Sequence, residues 1–294
     1  MRHVLAATDL SALADLALDR AIGLAAATGA RLTIASVDQP HDLAVVSPDL
    51  SLATVGEFEQ SWSSYVDREL ASRVARAQAA GLTAAAVRLD GRPDDAIAEA
   101  AEAHDVDLIV VGSAGRTGLK RLVLGSVAES IVHRARRPVL IARGAGGGRF
   151  TRVVVATDFG PPSLAALAAA REVAAPDAEV EAIYAWHYPA GSLGLAALGE
   201  RTNATAALRE ALTQGPEHRG AALVAAEAAA GRSLGFALRH GPAHEVVVDA
   251  ATDRGADLIA VGSHRAGGVR RLLLGSVSTQ VMRHAPCSVL IVHA

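Results

Sequence analysis

The sequence predicts an α/β chain of two doubly wound domains, each a five-stranded parallel sheet with helices on both faces. Three observations predict it. First, the chain repeats itself. Val4-Leu5-Ala6-Ala7-Thr8-Asp9 returns as Val153-Val154-Val155-Ala156-Thr157-Asp158, 149 residues on. Asp107-Leu108-Ile109-Val110-Val111-Gly112-Ser113 returns as Asp257-Leu258-Ile259-Ala260-Val261-Gly262-Ser263, and Leu124-Gly125-Ser126-Val127 as Leu274-Gly275-Ser276-Val277, both 150 residues on. Second, runs that are apolar throughout alternate with longer helical patterns, as in a parallel sheet covered on both faces. Third, hydrophobic residues make up 51% of the chain but aromatics only 3%. Ala, Val and Leu therefore dominate a core in which helices can lie close on a sheet.

The 294 residues fit two domains of roughly 150 each. The first domain is placed at 1–143 and the second at 150–294. In the first, strands are expected at Arg2–Ala7, Arg31–Val37, Thr83–Leu89, Asp107–Val111 and Pro138–Ala142. Helices are expected at Ser11–Thr28, Glu57–Ala80, Pro93–His104 and Ser126–Arg136, and the second copy repeats the order. Residues 144–149, rich in glycine, read as a flexible linker. In a doubly wound sheet the ligand site lies at the carboxyl ends of the strands, where the winding reverses.

Composition narrows the function classes. A formal net charge of −3 gives no basic field for nucleic acid. Cys287 is the only cysteine, which excludes intrachain disulfides and a Cys-cluster metal site. No signal-peptide stretch opens the chain and no apolar run is long enough to span a membrane, so a cytoplasmic location is expected. No nucleophile tied to a base stands out, and neither a catalytic residue nor a metal ligand is assigned. His240 and His244 have helical spacing, but Gly241-Pro242 between them breaks a helix, and they are set aside.

Two repeated segments fall at strand ends. One is Ala7-Thr8-Asp9. The other runs from Gly112 and Gly115, through Arg116, Lys120 and Arg121, to Gly125-Ser126-Val127, a G-x2-G-x9-G-S pattern. Glycines let backbone turn sharply and approach a ligand. A helix opening at Gly125-Ser126 offers free N–H groups and its dipole to an anion, and Ser126 with Glu129 has capping-box spacing. Neither a P-loop nor a GxGxxG dinucleotide fingerprint is present. The loop is suited to a polyphosphate.

These segments resemble the motifs of the ATP-binding universal stress proteins, and the resemblance covers nearly the whole chain twice, as in a tandem member of that family. It implies a Rossmann-like fold of strand order 3-2-1-4-5 and ATP, with or without Mg²⁺, held without a P-loop. By the same resemblance Asp9 holds the adenosine end with Ala7 and Thr8 beside it, the backbone of Val37 meets adenine, and Val111, Gly112, Gly115, Gly125, Ser126 and Val127 cradle ribose and phosphates. The family also pairs its apolar sheet edges, which implies an intrachain pseudo-dimer through Pro138–Ala142 and Ser288–Val292, with a further homodimer open.

The second copy keeps Asp158, Gly262, Gly275 and Ser276, a weaker version of the site. Arg265 replaces the second motif glycine, Trp186 stands in the alignment where the first copy has Val37, Thr279 replaces Glu129, and Pro161-Pro162 alters the turn after Asp158. The leading expectation is an ATP-binding regulatory or stress-response protein, mainly through the first copy. A slow ATP hydrolase or phosphotransferase, and a structural dimerisation module with a vestigial site, are the alternatives.

Overall fold

The computed structural model describes residues 1–38, 52–113, 124–144, 146–188, 203–263 and 275–293. The chain divides into two compact units, Met1–Arg149 and Phe150–Ala294. In the first unit β1 (His3–Ala7), α1 (Ala12–Thr28), β2 (Arg31–Asp38), α2 (Leu52–Ala79), β3 (Ala84–Asp90), α3 (Pro93–Ala103), β4 (Leu108–Gly112), α4 (Ser126–Arg134) and β5 (Val139–Ala142) follow one another. Their sheet has the order β3-β2-β1-β4-β5, and every pairing within it is parallel. Right-handed crossovers place α1 and α2 on one face, α3 and α4 on the other.

The elements follow from the side chains. Leu5, Ile34, Ile109 and Leu140, on four adjacent strands, are fully buried, as strands covered on both faces require. α1 buries Ala14, Ala17, Leu18, Ala21, Leu24 and Ala25 in one stripe and ends at Gly29, whose φ of 69° suits a residue without Cβ. α2 starts at Leu52, five residues earlier than expected from the sequence. Gly56 reads as a boundary, since glycine costs a helix about 1 kcal/mol. The tertiary contacts of Val66, Leu70, Arg73 and Ala77, all buried further along the helix, carry it through that residue.

The second unit repeats the plan: β6 (Phe150–Ala156), α5 (Pro161–Val173), β7 (Ala174–Trp186), α6 (Asn203–Ala229), β8 (Gly235–His240), α7 (Ala243–Asp253), β9 (Leu258–Ser263), α8 (Ser276–His284) and β10 (Ser288–His293). Its order is β8-β7-β6-β9-β10, again parallel. α5 runs directly into β7, and the pairing with β6 is irregular there, Phe150 facing Ala174 but Arg152 facing Glu179.

The glycine run is seated rather than a free linker. Arg20 of α1 donates to the Gly148 carbonyl at 2.9 Å, and Arg149 to that of Ala27 at 3.1 Å. The ideal Cβ position on Gly23 lies 2.0 Å from the Gly148 nitrogen. Two glycines thus allow backbone and helix to touch. A glycine run looks like linker chemistry in sequence; close packing against α1 is its use here.

The aspartate that opens the second repeated block also has a structural use. Asp107 Oδ2 accepts from the backbone N–H groups of Arg2 and His3, where β1 begins. Asp257 repeats this with Thr151 and Arg152. Burial alone would raise the Asp107 carboxyl, but the two N–H donors outweigh it and hold it below its ordinary value of 3.8. A depressed folded value contributes stability that is complete above pH ~4 and is lost as pH falls through that folded value. Asp107→Ala should therefore cost about 1.5–3 kcal/mol near neutral pH, with the gap to wild type closing in acid. Urea unfolding of both proteins between pH 2.5 and 7 checks it; a gap independent of pH would remove the carboxylate from the account.

Candidate functional site

A cleft of about 430 Å³ opens at the carboxyl ends of β1, β2 and β4, where the chain turns one way into β2 and β3 and the other into β4 and β5. Ala7, Thr8, Asp9, Val37, Val111, Gly112, Gly125, Ser126 and Val127 all border it. Of the first-copy residues singled out in the sequence, Gly115, Arg116, Lys120 and Arg121 lie outside the described residues. Asp38 on β2, Trp62 and Val66 on α2, and Pro93 and Ile97 on α3 border the cleft too.

The β1 end is a built turn. Thr8 donates its N–H to the Ala35 carbonyl at 2.9 Å, continuing the ladder with β2. Thr8 Oγ1 then accepts from Leu10 N–H, and Asp9 Oδ1 from Ser11 N–H, both at 3.0 Å. Leu10 sits at φ 66°, an unfavourable region for a side-chain-bearing residue, so something must hold it. Arg73 does. This buried arginine of α2 donates to the Leu10 carbonyl at 3.0 Å, to both oxygens of Asp15 and to Glu69. Burial works against its charge, but Glu69 and Asp15 outweigh that and raise it above its ordinary value. Arg73 thus ties α1, α2 and the Asp9 turn together.

On the far side of the cleft, Gly125 donates to the Ser113 carbonyl at 2.8 Å and α4 begins at Ser126. The capping box expected from Ser126 and Glu129 does not form. Gly125 is the N-cap, with no side-chain cap hydrogen bond, and the first helical bond runs from Glu129 N–H to the Gly125 carbonyl. Ser126 is one position too far along to cap. The consequence favours a ligand: among the described residues no side-chain cap hydrogen bond is made at this helix start, and a helix leaves the N–H groups of its first turn for an external anion.

Charge at the cleft margin is arranged in pairs. Arg88 of β3 donates Nε to Asp38 Oδ2 at 2.9 Å, with Nη2 reaching the same oxygen. Its Nη1 reaches Ser63 Oγ at 2.8 Å and Asp67 Oδ1 at 2.9 Å. Asp38, and after it Asp67, raise the Arg88 guanidinium above its ordinary value. Asp94, in the first turn of α3, is buried and bonded to Arg92 and Arg134. Burial would raise its carboxyl, but the hydrogen bonds from the two arginines hold it low. It locks α3 to α4 beside the cleft.

In the second unit the turn survives and its surroundings change. Phe159 N–H reaches Thr157 Oγ1, Gly160 N–H reaches Asp158 Oδ1, and Phe159 takes φ 63°. Asp158 is exposed, whereas Asp9 is half-buried. The strand register corrects one alignment. Ala7 faces Ala35, but Ala156 faces Ile183, so Ala185 occupies the place of Val37, and Trp186 that of Asp38. Tyr184 stands where Ser36 does, and its ring stacks on Phe159 with centroids 5.3 Å apart. Phe236 adds a third ring 5.8 Å from Phe159. Room bordered by Leu10 and Ser36 in the first cleft is taken by rings in the second unit. His240 packs on Trp186 at 4.7 Å. Gly275 and Ser276 open α8 as their counterparts open α4, again with glycine as N-cap. Arg265 lies outside the described residues.

The chain belongs to the universal stress protein family. The model of that family matches it twice, over residues 1–143 and 149–293. Universal stress protein YxiE of Bacillus subtilis is 32% identical over 144 residues, covering 48% of this chain and 97% of that protein. A universal stress protein of Mycobacterium tuberculosis is 31% identical over 199 residues, covering 64% of this chain and 62% of that one. The match to one from Methanocaldococcus jannaschii is 49% identical but covers only 32% of the relative and 19% of this chain. The matches thus span about three fifths of the length of the one relative and a third of the other. A crystal structure of a universal stress protein from Archaeoglobus fulgidus shares the fold at a TM-score of 0.72, with 24% identity, 99% of this chain and 98% of that one covered. Among the described residues no helix is long and apolar enough to cross a membrane, and no group of three or more His, Cys, Asp or Glu side chains could hold a metal ion.

Proposed function

We propose that this protein is an ATP-binding regulatory protein of the stress-response type, and that the first unit's cleft is its nucleotide site. The observation that carries the reading is the meeting, at one cleft, of the Asp9 turn with the α4 N-terminus that has no side-chain cap. One supplies a carboxylate for the hydroxyls of an adenosine; the other supplies N–H groups and a helix dipole for phosphates. Backbone at Gly112, Gly115 and Gly125 completes the phosphate end, and Val111, Ser126 and Val127 flank it. Val37 and Thr8 stand at the base and sugar end, with Ala7 beneath. The cleft falls within the ≈ 300–1,000 Å³ usual for small-molecule sites. Magnesium would enter with the phosphates rather than through a protein cage.

Nucleotide occupancy would act by altering the protein's assembly or the partners it engages. A dedicated hydrolase needs a positioned base; turnover above about 1 s⁻¹ would favour the enzyme reading instead. Asp9→Ala and Gly115→Val test the site. A charge-assisted hydrogen bond contributes ~1.5–3 kcal/mol, so Asp9→Ala should weaken ATP binding by roughly 10- to 150-fold. Gly115→Val should do so by filling space against a phosphate. Both should keep the wild-type circular dichroism spectrum. Unchanged affinity in both, measured by calorimetric titration, would take the nucleotide away from this cleft.

A further inference from the structure

The geometry points to Asp38 as the residue that selects the base, by accepting a hydrogen bond from an exocyclic amino group. The inference deepens the proposed reading and rests on it: the ligand is taken to be a nucleotide lying across the cleft. Its orientation follows from the two walls. The α4 N-terminus stands beside β4, at one end. In the sheet order β1 separates β4 from β2, so the opposite wall lies two inter-strand spacings away, roughly 10 Å. That wall is the end of β2, with Val37 and Asp38, together with Trp62 of α2. Phosphates drawn to α4 leave the base at this wall.

The wall is chemically selective. Both bonds from Arg88 fall on Asp38 Oδ2, and no hydrogen bond occupies Oδ1 among the described residues. Arg88 is itself fixed to Ser63 and Asp67 on α2. The carboxylate is therefore held in place, with its charge compensated, and one oxygen remains to accept. An ionised carboxylate accepts and does not donate. A 6-amino purine satisfies it; a 6-oxo purine sets an acceptor against an acceptor. Hydrogen-bonding sites reject a ligand that lacks the matching group far better than apolar ones do. Trp62 supplies a flat apolar wall beside it. The second unit has Trp186 at the place of Asp38, so this selectivity is confined to the first.

ATP and ITP differ at this position by amino against oxo, which makes them the probes. Trp62 and Trp186 are the only tryptophans, so Trp186→Phe leaves Trp62 as the single tryptophan emitter bordering the cleft. In that background, titration of nucleotide-stripped protein followed by Trp62 fluorescence should show ATP favoured over ITP by at least tenfold. Asp38→Asn, whose amide can donate to a 6-oxo group as well as accept, should bring the two affinities within about threefold. Arg88→Gln, which leaves the carboxylate but frees it, should lower the ratio to an intermediate value. Equal ATP and ITP binding in the parent protein, or an undiminished ratio in Asp38→Asn, would overturn the inference while leaving the nucleotide site intact. Binding of neither nucleotide by the parent, checked by equilibrium dialysis, would overturn the site itself.

Discussion

Nucleotide-stripped protein titrated with ATP should take up one tight equivalent per chain, not two. Both units carry the Thr-Asp turn, the glycine after the fourth strand and a glycine-capped helix, so the expectation rests on their differences. Asp9 is half-buried where Asp158 is exposed, and a hydrogen bond to an exposed carboxylate competes with water. Asp38 is replaced by Trp186, and the space bordered by Leu10 and Ser36 is taken by the stacked rings of Phe159 and Tyr184. Arg265 stands in the sequence where Gly115 does, and its side chain penalises both a positive φ and close backbone approach to phosphate. One lost charge-assisted bond weakens a site by at least about tenfold, and these changes act on base, sugar and phosphate ends together. A guanidinium can also bind phosphate directly, so a weak second phase remains compatible with the argument. Two equal, tight phases would refute it. Arg265→Gly should strengthen the second phase and leave the first alone.

Much of the architecture was readable from the sequence because it rests on local rules. Strands buried on both faces appear as unbroken apolar runs, and α1 announces itself through Ser11 and Gly29. The cleft's own residues could be placed because a parallel sheet gathers the carboxyl ends of β1 and β4 at one edge. What was missed depends on contacts across the sheet. Nothing in the spacing of Trp62 or Asp38 says that α2 lies over the end of β2, or that Arg88 bridges them. The Trp186 alignment slipped because one residue fewer lies between the end of β6 and its partner in β7 than between the end of β1 and its partner in β2. That shortens the offset between copies from 149 at Ala7 to 148 at Ala35. The capping-box pattern at Ser126 misled by a single position, which only backbone dihedrals reveal.

Gly262→Ala should destabilise the second unit whether or not nucleotide is present, and Gly262→Val should do so further. Read in sequence, Gly262 is the first glycine of a phosphate loop. The structure gives it a different neighbour. Its ideal Cβ position lies 2.3 Å from the Pro162 carbonyl carbon, 2.4 Å from the oxygen and 2.6 Å from the Ser163 nitrogen. All three are backbone atoms of the first turn of α5, which crosses the end of β9. That turn cannot easily yield. Pro161 and Pro162 fix two φ angles, and Ser163, buried, donates to the Gly160 carbonyl at 3.0 Å. Overpacking of a well-filled core typically costs about 1–3 kcal/mol, and contact with rigid backbone belongs at the upper end. For a domain of this size each kcal/mol lowers the melting point by about 3 °C, so the alanine variant should lose up to roughly 9 °C. Calorimetry of the full chain without nucleotide measures the shift. Faster hydrogen exchange confined to α5 and β9 would locate it there. A variant that melts with wild type when empty, and differs only in nucleotide affinity, would return Gly262 to the phosphate loop and remove the packing argument.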